Sequence, residues 1–255
     1  MNKNLLKRIV LTSAIAVLGV STSFAALVME RDQSVDTAPS VGLYRFEVPV
    51  ELQGTYNSAG VANLTASMEK EPNTLSMNVA HVKGNPSESY VVEIYKDLAA
   101  IETHRKSDHY QAFVNEVGSK LTNRKMYDVQ SVLLFEKKDA LSIVNDGKAV
   151  VTLTEFTVDS NEIDTVQRQY QLDIERALRD DAGYKAGYVL RERNAKNRWY
   201  VIQIYSDQEA LTKHLNSPGY RFMMSQIQGS LQGVTTKVLE GDILVNHGGQ
   251  AFVRP

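Results

Sequence analysis

Cysteine is absent from all 255 residues. That excludes disulfides, thiolate zinc sites, iron–sulfur ligation and a cysteine nucleophile. It also fits export, because a fold without thiols avoids oxidative pairing. Histidine is sparse, with five residues and no convergent spacing, so the sequence predicts no preformed metal site. Gly-rich phosphate loops, His-Glu-x-x-His, Gly-x-Ser-x-Gly and EF-hand spacing are all missing. Cations are not in excess, at 28 against 30 acids, and they do not cluster. A nucleic-acid partner is therefore not expected, since phosphates require concentrated Lys and Arg.

One apolar run stands out. "MNKNLLKR" opens the chain with three cations, "IVLTSAIAVLGV" follows, and "STSFA" ends with small residues at Ser23 and Ala25. This order reads as a secretory signal over residues 1–25, cleaved near Ala26. The run falls short of the roughly 20 residues a bilayer span needs. No membrane span is expected after cleavage, and the mature chain is expected in the periplasm or secreted. Cleavage removes Lys3, Lys7 and Arg8 and no acid, moving the formal charge from −2 to −5.

What the sequence does contain is itself, twice. "EIYKDLAAIETHRKSDHYQAF", from Glu93, returns 110 positions later as "QIYSDQEALTKHLNSPGYRFM". Between Tyr90–Leu121 and Tyr200–Leu231, 10 of 32 positions are identical, and no gap is needed from about Val41 to Phe135. So long a period indicates two copies of a whole domain, not a solenoid of short repeats. The copies are placed at 41–140 and 149–247, after a polar arm at 26–40 and before a short tail at 248–255. "KKDALSIVNDGKA" joins them.

Each copy reads β-α-β-β-α-β. The first strands are "LYRFEVPV" and "VVTLTEFTV", and the final ones "VQSVLLFEK" and "GDILVNH". The first helix is plainer in the second copy, where Ile163, Val166, Tyr170, Ile174 and Leu178 fall at near-helical spacing. Asp97 and Asp207, then Ser107 and Ser217, stand where N-caps belong. This order is that of a ferredoxin-like split βαβ, so the fold class is α+β. Along "YVVEIY", Tyr90, Val92 and Ile94 share one sheet face, and Val91, Glu93 and Tyr95 the other. The apolar row suits packing under the helices. The mixed row is expected to face its twin across a shared, partly polar interior.

The run Tyr-x-Asp-x-x-Ala-x-x-x-His-x-x-Ser with Tyr three places on, at Tyr95–Tyr110 and Tyr205–Tyr220, resembles the antibiotic biosynthesis monooxygenase family. The resemblance covers both copies. It implies two tandem ferredoxin-like units that form, within one chain, the dimeric α/β-barrel which single-unit relatives assemble as homodimers. It also implies oxygenation of a small quinol or hydroxyaromatic by O2 without a cofactor. On that resemblance the catalytic set is His104 or His109 as base, Tyr95 as donor and Glu93 as orienting carboxylate. Tyr110, His81, Tyr205, His214 and Tyr220 are expected against the substrate. Gln203 answers Glu93 and Gly219 answers His109, so the chemistry is expected in the first copy alone. The family's haem-degrading members place a proximal His where Val114 and Met224 stand, which argues against that activity.

Other readings remain open at this point. The histidines and tyrosines could be structural, and the barrel could hold a small hydrophobic ligand in the periplasm without catalysis. The chain could stay a monomer or pair further as a homodimer.

Overall fold

A computed structural model describes residues 37–255. The expected signal segment, and most of the arm, lie outside the described residues. The first half runs β1 (Ser40–Glu47), α1 (Gln53–Lys70), β2 (Thr74–Val82), β3 (Asn85–Tyr95), α2 (Leu98–Lys106), α3 (Asp108–Glu116), β4 (Thr122–Tyr127) and β5 (Val129–Glu136). A short β6 (Leu141–Val144) follows. The second half repeats the order as β7 (Val150–Val158), α4 (Ile163–Asp180), β8 (Tyr184–Glu192), β9 (Arg198–Tyr205), α5 (Gln208–Asn216), α6 (Pro218–Ile227) and β10 (Leu231–Asn246). β11 (Ala251–Val253) ends the chain.

The 110-residue offset survives at the level of register. Tyr95 pairs with Thr74 and Ser40, while Tyr205 pairs with Tyr184 and Val150. The caps also repeat. The Asp97 carboxylate accepts from the Ala100 amide and the Asp207 carboxylate from the Ala210 amide, each at 2.8 Å. The Ser107 and Ser217 hydroxyls accept from the amides of Tyr110 and Tyr220. Each satisfies an N–H that a helix start leaves unpaired.

The last strand of each half belongs to both sheets. β10 pairs with β7 over Leu231–Glu240, then with β2 of the other half over Leu239–Asn246. In the same way β4 pairs with β1, and β5 pairs with β8. The path β11-β5-β8-β9-β7-β10-β2-β3-β1-β4 is therefore one sheet across both halves. Its hydrogen bonding does not close, but only Asp128 separates β4 from β5, so the chain itself completes the circuit.

Three expectations need correction. The final strand of the second half begins earlier than the sequence suggested, at Leu231, and in the first half an additional strand, β4, precedes the expected one, which begins at Val129 as read. The joining segment carries β6, which pairs with β10, and the tail carries β11, which pairs with β5.

The third correction concerns the sheet faces, which are the reverse of those expected. Tyr90, Val92 and Ile94 join Tyr200, Ile202 and Ile204 in one apolar cluster built from both halves. Val91 and Tyr95 instead pack with Tyr56, Leu64, Ala100 and Ile101 under the helices of the first half. The reason is hydration. The space between the sheets is shut off from water, so the uniformly apolar row fills it, while helices cover the other face less completely. The polar chamber belongs beneath the helices, not between the sheets.

Candidate functional site

The first half is hollow there. A cavity of about 410 Å³ is lined by Tyr44, Phe46, Glu93 and Tyr95 from the sheet, and by His104, Arg105 and Tyr110 from α2 and α3. Arg124, Lys125 and Met126 at the start of β4 complete its rim. A smaller cavity of about 40 Å³ adjoins it, beside Gly60, Asn63 and Phe113. Phe113 of α3 is only partly buried, whereas its counterpart Met223 in α6 is fully buried.

The second half keeps the same unit without the same space. His214 lies against Tyr205 (5.7 Å) and Tyr220 (5.1 Å), just as His104 lies against Tyr95 (5.7 Å) and Tyr110 (4.8 Å). The Tyr-His-Tyr stack is thus a feature of the duplicated fold and cannot by itself mark a site. Around it the residues differ. Gly60 is answered by Tyr170, stacked on Phe156, and Ser89 by the fully buried Trp199. Tyr184, at the position of Thr74, packs on both Tyr205 and His214. The cavity cations Arg105, Arg124 and Lys125 are answered by Leu215, Val234 and Thr235.

Within the first half, His104 carries the distinctive geometry. It is 1% exposed. Its Nδ1 faces Glu71 Oε2 at 3.1 Å and Ser67 Oγ at 3.3 Å. The residue is part of the cavity lining, and its Nε2 is buried without a hydrogen-bond partner. Facing a carboxylate, Nδ1 is the ring nitrogen placed to donate, so that in the neutral ring Nε2 is the acceptor.

Glu71 is the residue the sequence reading missed. It ends α1 just before Pro72, whose ring disfavours further helix. It accepts from Thr74 Oγ1 at 2.6 Å and from His109 Nε2 at 2.7 Å. Burial opposes its charge, yet the bonds from His104, Thr74 and His109 outweigh that and hold its carboxyl down at about 2. While Glu93 bonds Tyr95, Glu71 is the carboxylate that the fold brings to Nδ1 of His104. No local motif announces it, because 33 residues separate it from His104. In the second half the trio is broken. Asp181 is tied to Lys213, His214 faces Asp173 and Gln203, and Gly219 replaces His109.

The other expected residues fall as follows. Glu93 lines the cavity and accepts from the Tyr95 hydroxyl at 3.0 Å. Burial raises its carboxyl, and burial also raises the Tyr95 and Tyr110 phenols, the latter to about 12. Both phenols remain O–H donors. His109 stands behind His104 beside Glu71, off the cavity wall. His81 is not brought to the cavity. It binds Asp242 at 2.8 Å and faces Glu240 at 3.3 Å across the seam between β2 and β10. Tyr205 and Tyr220 pack around His214, which opens on a separate cleft beside Asp173, Arg176 and Phe222.

Comparison with known proteins decides the lineage. The chain matches the antibiotic biosynthesis monooxygenase family over residues 43–116 and 149–225, more than half its length. It belongs to that family. Its fold is similar to the crystal structure of a candidate monooxygenase from Lactobacillus acidophilus NCFM, with TM-score 0.78 and 19% identity. That likeness covers 84% of this chain and 99% of the other. A second candidate monooxygenase, from Fusobacterium nucleatum, gives TM-score 0.76 and 20% identity over 86% of this chain and all of the other. At these identities the likeness is one of fold. No curated protein matches. The match of the family to both halves fits the duplication, and the differences between the halves then describe how two family domains diverged within one chain.

Proposed function

We propose that the cavity of the first half binds a small electron-rich phenol, quinol or anthrone, which the chain oxygenates with O2 and no cofactor. The buried, unpartnered Nε2 of His104, a residue of the cavity lining, carries this reading. It takes the substrate's acidic proton, while Glu71 holds the ring in the accepting tautomer and stabilises the imidazolium. The substrate anion passes an electron to O2, and the radicals recombine with formation of a C–O bond. One oxygen atom ends in the product carbonyl. The other leaves as water with the two hydrogens the substrate loses, the acidic proton taken by the base and the hydrogen of the oxidised carbon.

The surroundings suit an aromatic anion. Tyr44 and Phe46 stack nearly parallel, at 10° and 6.1 Å, and offer a flat apolar wall. Arg105, Arg124 and Lys125 supply positive charge, and Tyr110 an O–H donor. A volume of about 410 Å³ lies toward the lower end of the about 300–1,000 Å³ typical of ligand sites. Export to the periplasm or beyond, resting on residues 1–25, belongs to the same proposal.

O2 uptake by the whole chain with a panel of quinols and anthrones tests it. Uptake is expected to fall by about 10²–10⁴-fold in H104A, in the range of a lost general base, and to survive in H214A. Equal uptake by H104A and parent would refute the assignment. Ligand retained without any uptake would favour the non-catalytic binding reading instead.

A further inference from the structure

We propose that Glu71, His104 and His109 form a binding site for a divalent transition-metal ion of the zinc class, and that its occupancy reverses the proton on His104. Among the described residues these three present ligand atoms that all lie within 4.8 Å of one another. The two carboxylate oxygens divide between the imidazoles, Oε1 toward His109 Nε2 at 2.7 Å and Oε2 toward His104 Nδ1 at 3.1 Å. Ligands about 2.0–2.1 Å from one tetrahedral ion stand roughly 3.3 Å apart, so the carboxylate already sits near the required spacing from both rings. Closing the remaining distance falls to His109, the less buried of the two histidines.

The surroundings favour a cation. Glu71 closes the C-terminus of α1, and His104 lies in the last turn of α2, so two helices direct their negative ends at the site. Only the nine-residue α3 opposes them with its N-terminus. The Thr74 hydroxyl donates to Glu71 and fixes its orientation, as outer partners of metal ligands commonly do. The ligand set of two imidazoles and one carboxylate suits zinc and its neighbours, not calcium or magnesium.

Neither Glu71 nor His109 lines the cavity, so an ion bound here stays behind the ring and does not reach the substrate space. Its effect is indirect. Coordination through Nδ1 moves the ring proton to Nε2, which changes from acceptor to donor. The binding claim stands apart from the oxygenase reading. The claim of control rests on it, and predicts that zinc inhibits and that a chelator restores activity.

Calorimetric titration of the whole chain with Zn²⁺, and with Co²⁺ followed by its visible absorption, tests the site without any substrate. One ion per chain is expected, with affinity lower by at least about tenfold in E71Q and in H109A, and unchanged in H214A. H109A, at a partly exposed position, keeps the test valid should E71Q fold poorly. Absence of saturable binding, or binding unaltered in both variants, overturns the site. Nitrogen-15 correlation spectra of the histidine rings read the second claim. Zinc that binds without placing a proton on Nε2 of His104 overturns the control while leaving the site.

Discussion

Glu136 offers the sharpest test of how the two halves meet. It ends β5, is 6% exposed, and belongs to the seam where the first half's strand pairs with β8. Its Oε1 accepts from the Tyr188 hydroxyl at 2.7 Å, and its Oε2 has no partner. Burial pushes the carboxyl up from 4.5 to about 7, against the opposing bonds from Tyr188, Gln250 and Ser76. At 1.36 kcal/mol per pH unit, ionising it inside the fold costs about 3 kcal/mol above pH 7. Because the folded pKa is the higher one, the folded state holds the proton while the unfolded state releases it. Stability is therefore greatest below about pH 4.5, falls through the window up to about pH 7, and is level beyond.

Glu136→Gln keeps the shape and removes the charge. Its amide N–H stands where the protonated acid has its O–H, so the comparison isolates ionisation. At pH 8 the variant is expected to be more stable by about 2–3 kcal/mol, raising Tm by roughly 5–10 °C for a chain of this size. At pH 5 the gain should shrink to a fraction of that. Thermal and urea melts at both pH values read the difference. A variant no more stable than the parent at pH 8, or a parent whose stability does not change between pH 5 and 8, would refute the reasoning.

Two further outcomes follow from the packing. Trp199→Ala empties a fully buried site beside Phe156 and is expected to cost about 3–5 kcal/mol in urea melts, while leaving ligand affinity in the first half unchanged. The hydrogen bond to Asp242, and then the contact with Glu240, raises the pKa of the His81 imidazole, so the seam it ties gains full stability below about pH 6.5 and loses it as pH rises through the raised value. His81→Gln should remove that dependence, worth less than about 1 kcal/mol, in pH-resolved melts. Unchanged pH dependence in His81→Gln would show that the imidazole does not tie the seam.

Much of this is legible in the chain, for identifiable reasons. Helix starts are set by local hydrogen bonds, so Asp97, Asp207, Ser107 and Ser217 are recognisable as caps from sequence alone. The asymmetry of the halves is legible too, in Gly219 against His109 and Gln203 against Glu93. Alternation along "YVVEIY" separates the two rows of β3 correctly. It cannot say which row meets the other sheet, because alternation fixes relative facing alone. His81 sits on β2 as expected, yet the bend that sends β10 across the seam draws it to Asp242 and away from the cavity.

The sequence by itself determined the duplication and the order of elements within each copy, since each rests on residues near one another in the chain. The tertiary structure alone decided that the space beside Tyr95 is open in the first half, while Tyr170, Tyr184 and Trp199 take up the equivalent space in the second, whose cleft lies elsewhere beside His214. It alone brought Glu71 to His104 and His109. Empty volume and convergent charge arise from segments far apart in sequence, and no local pattern records the space left between them.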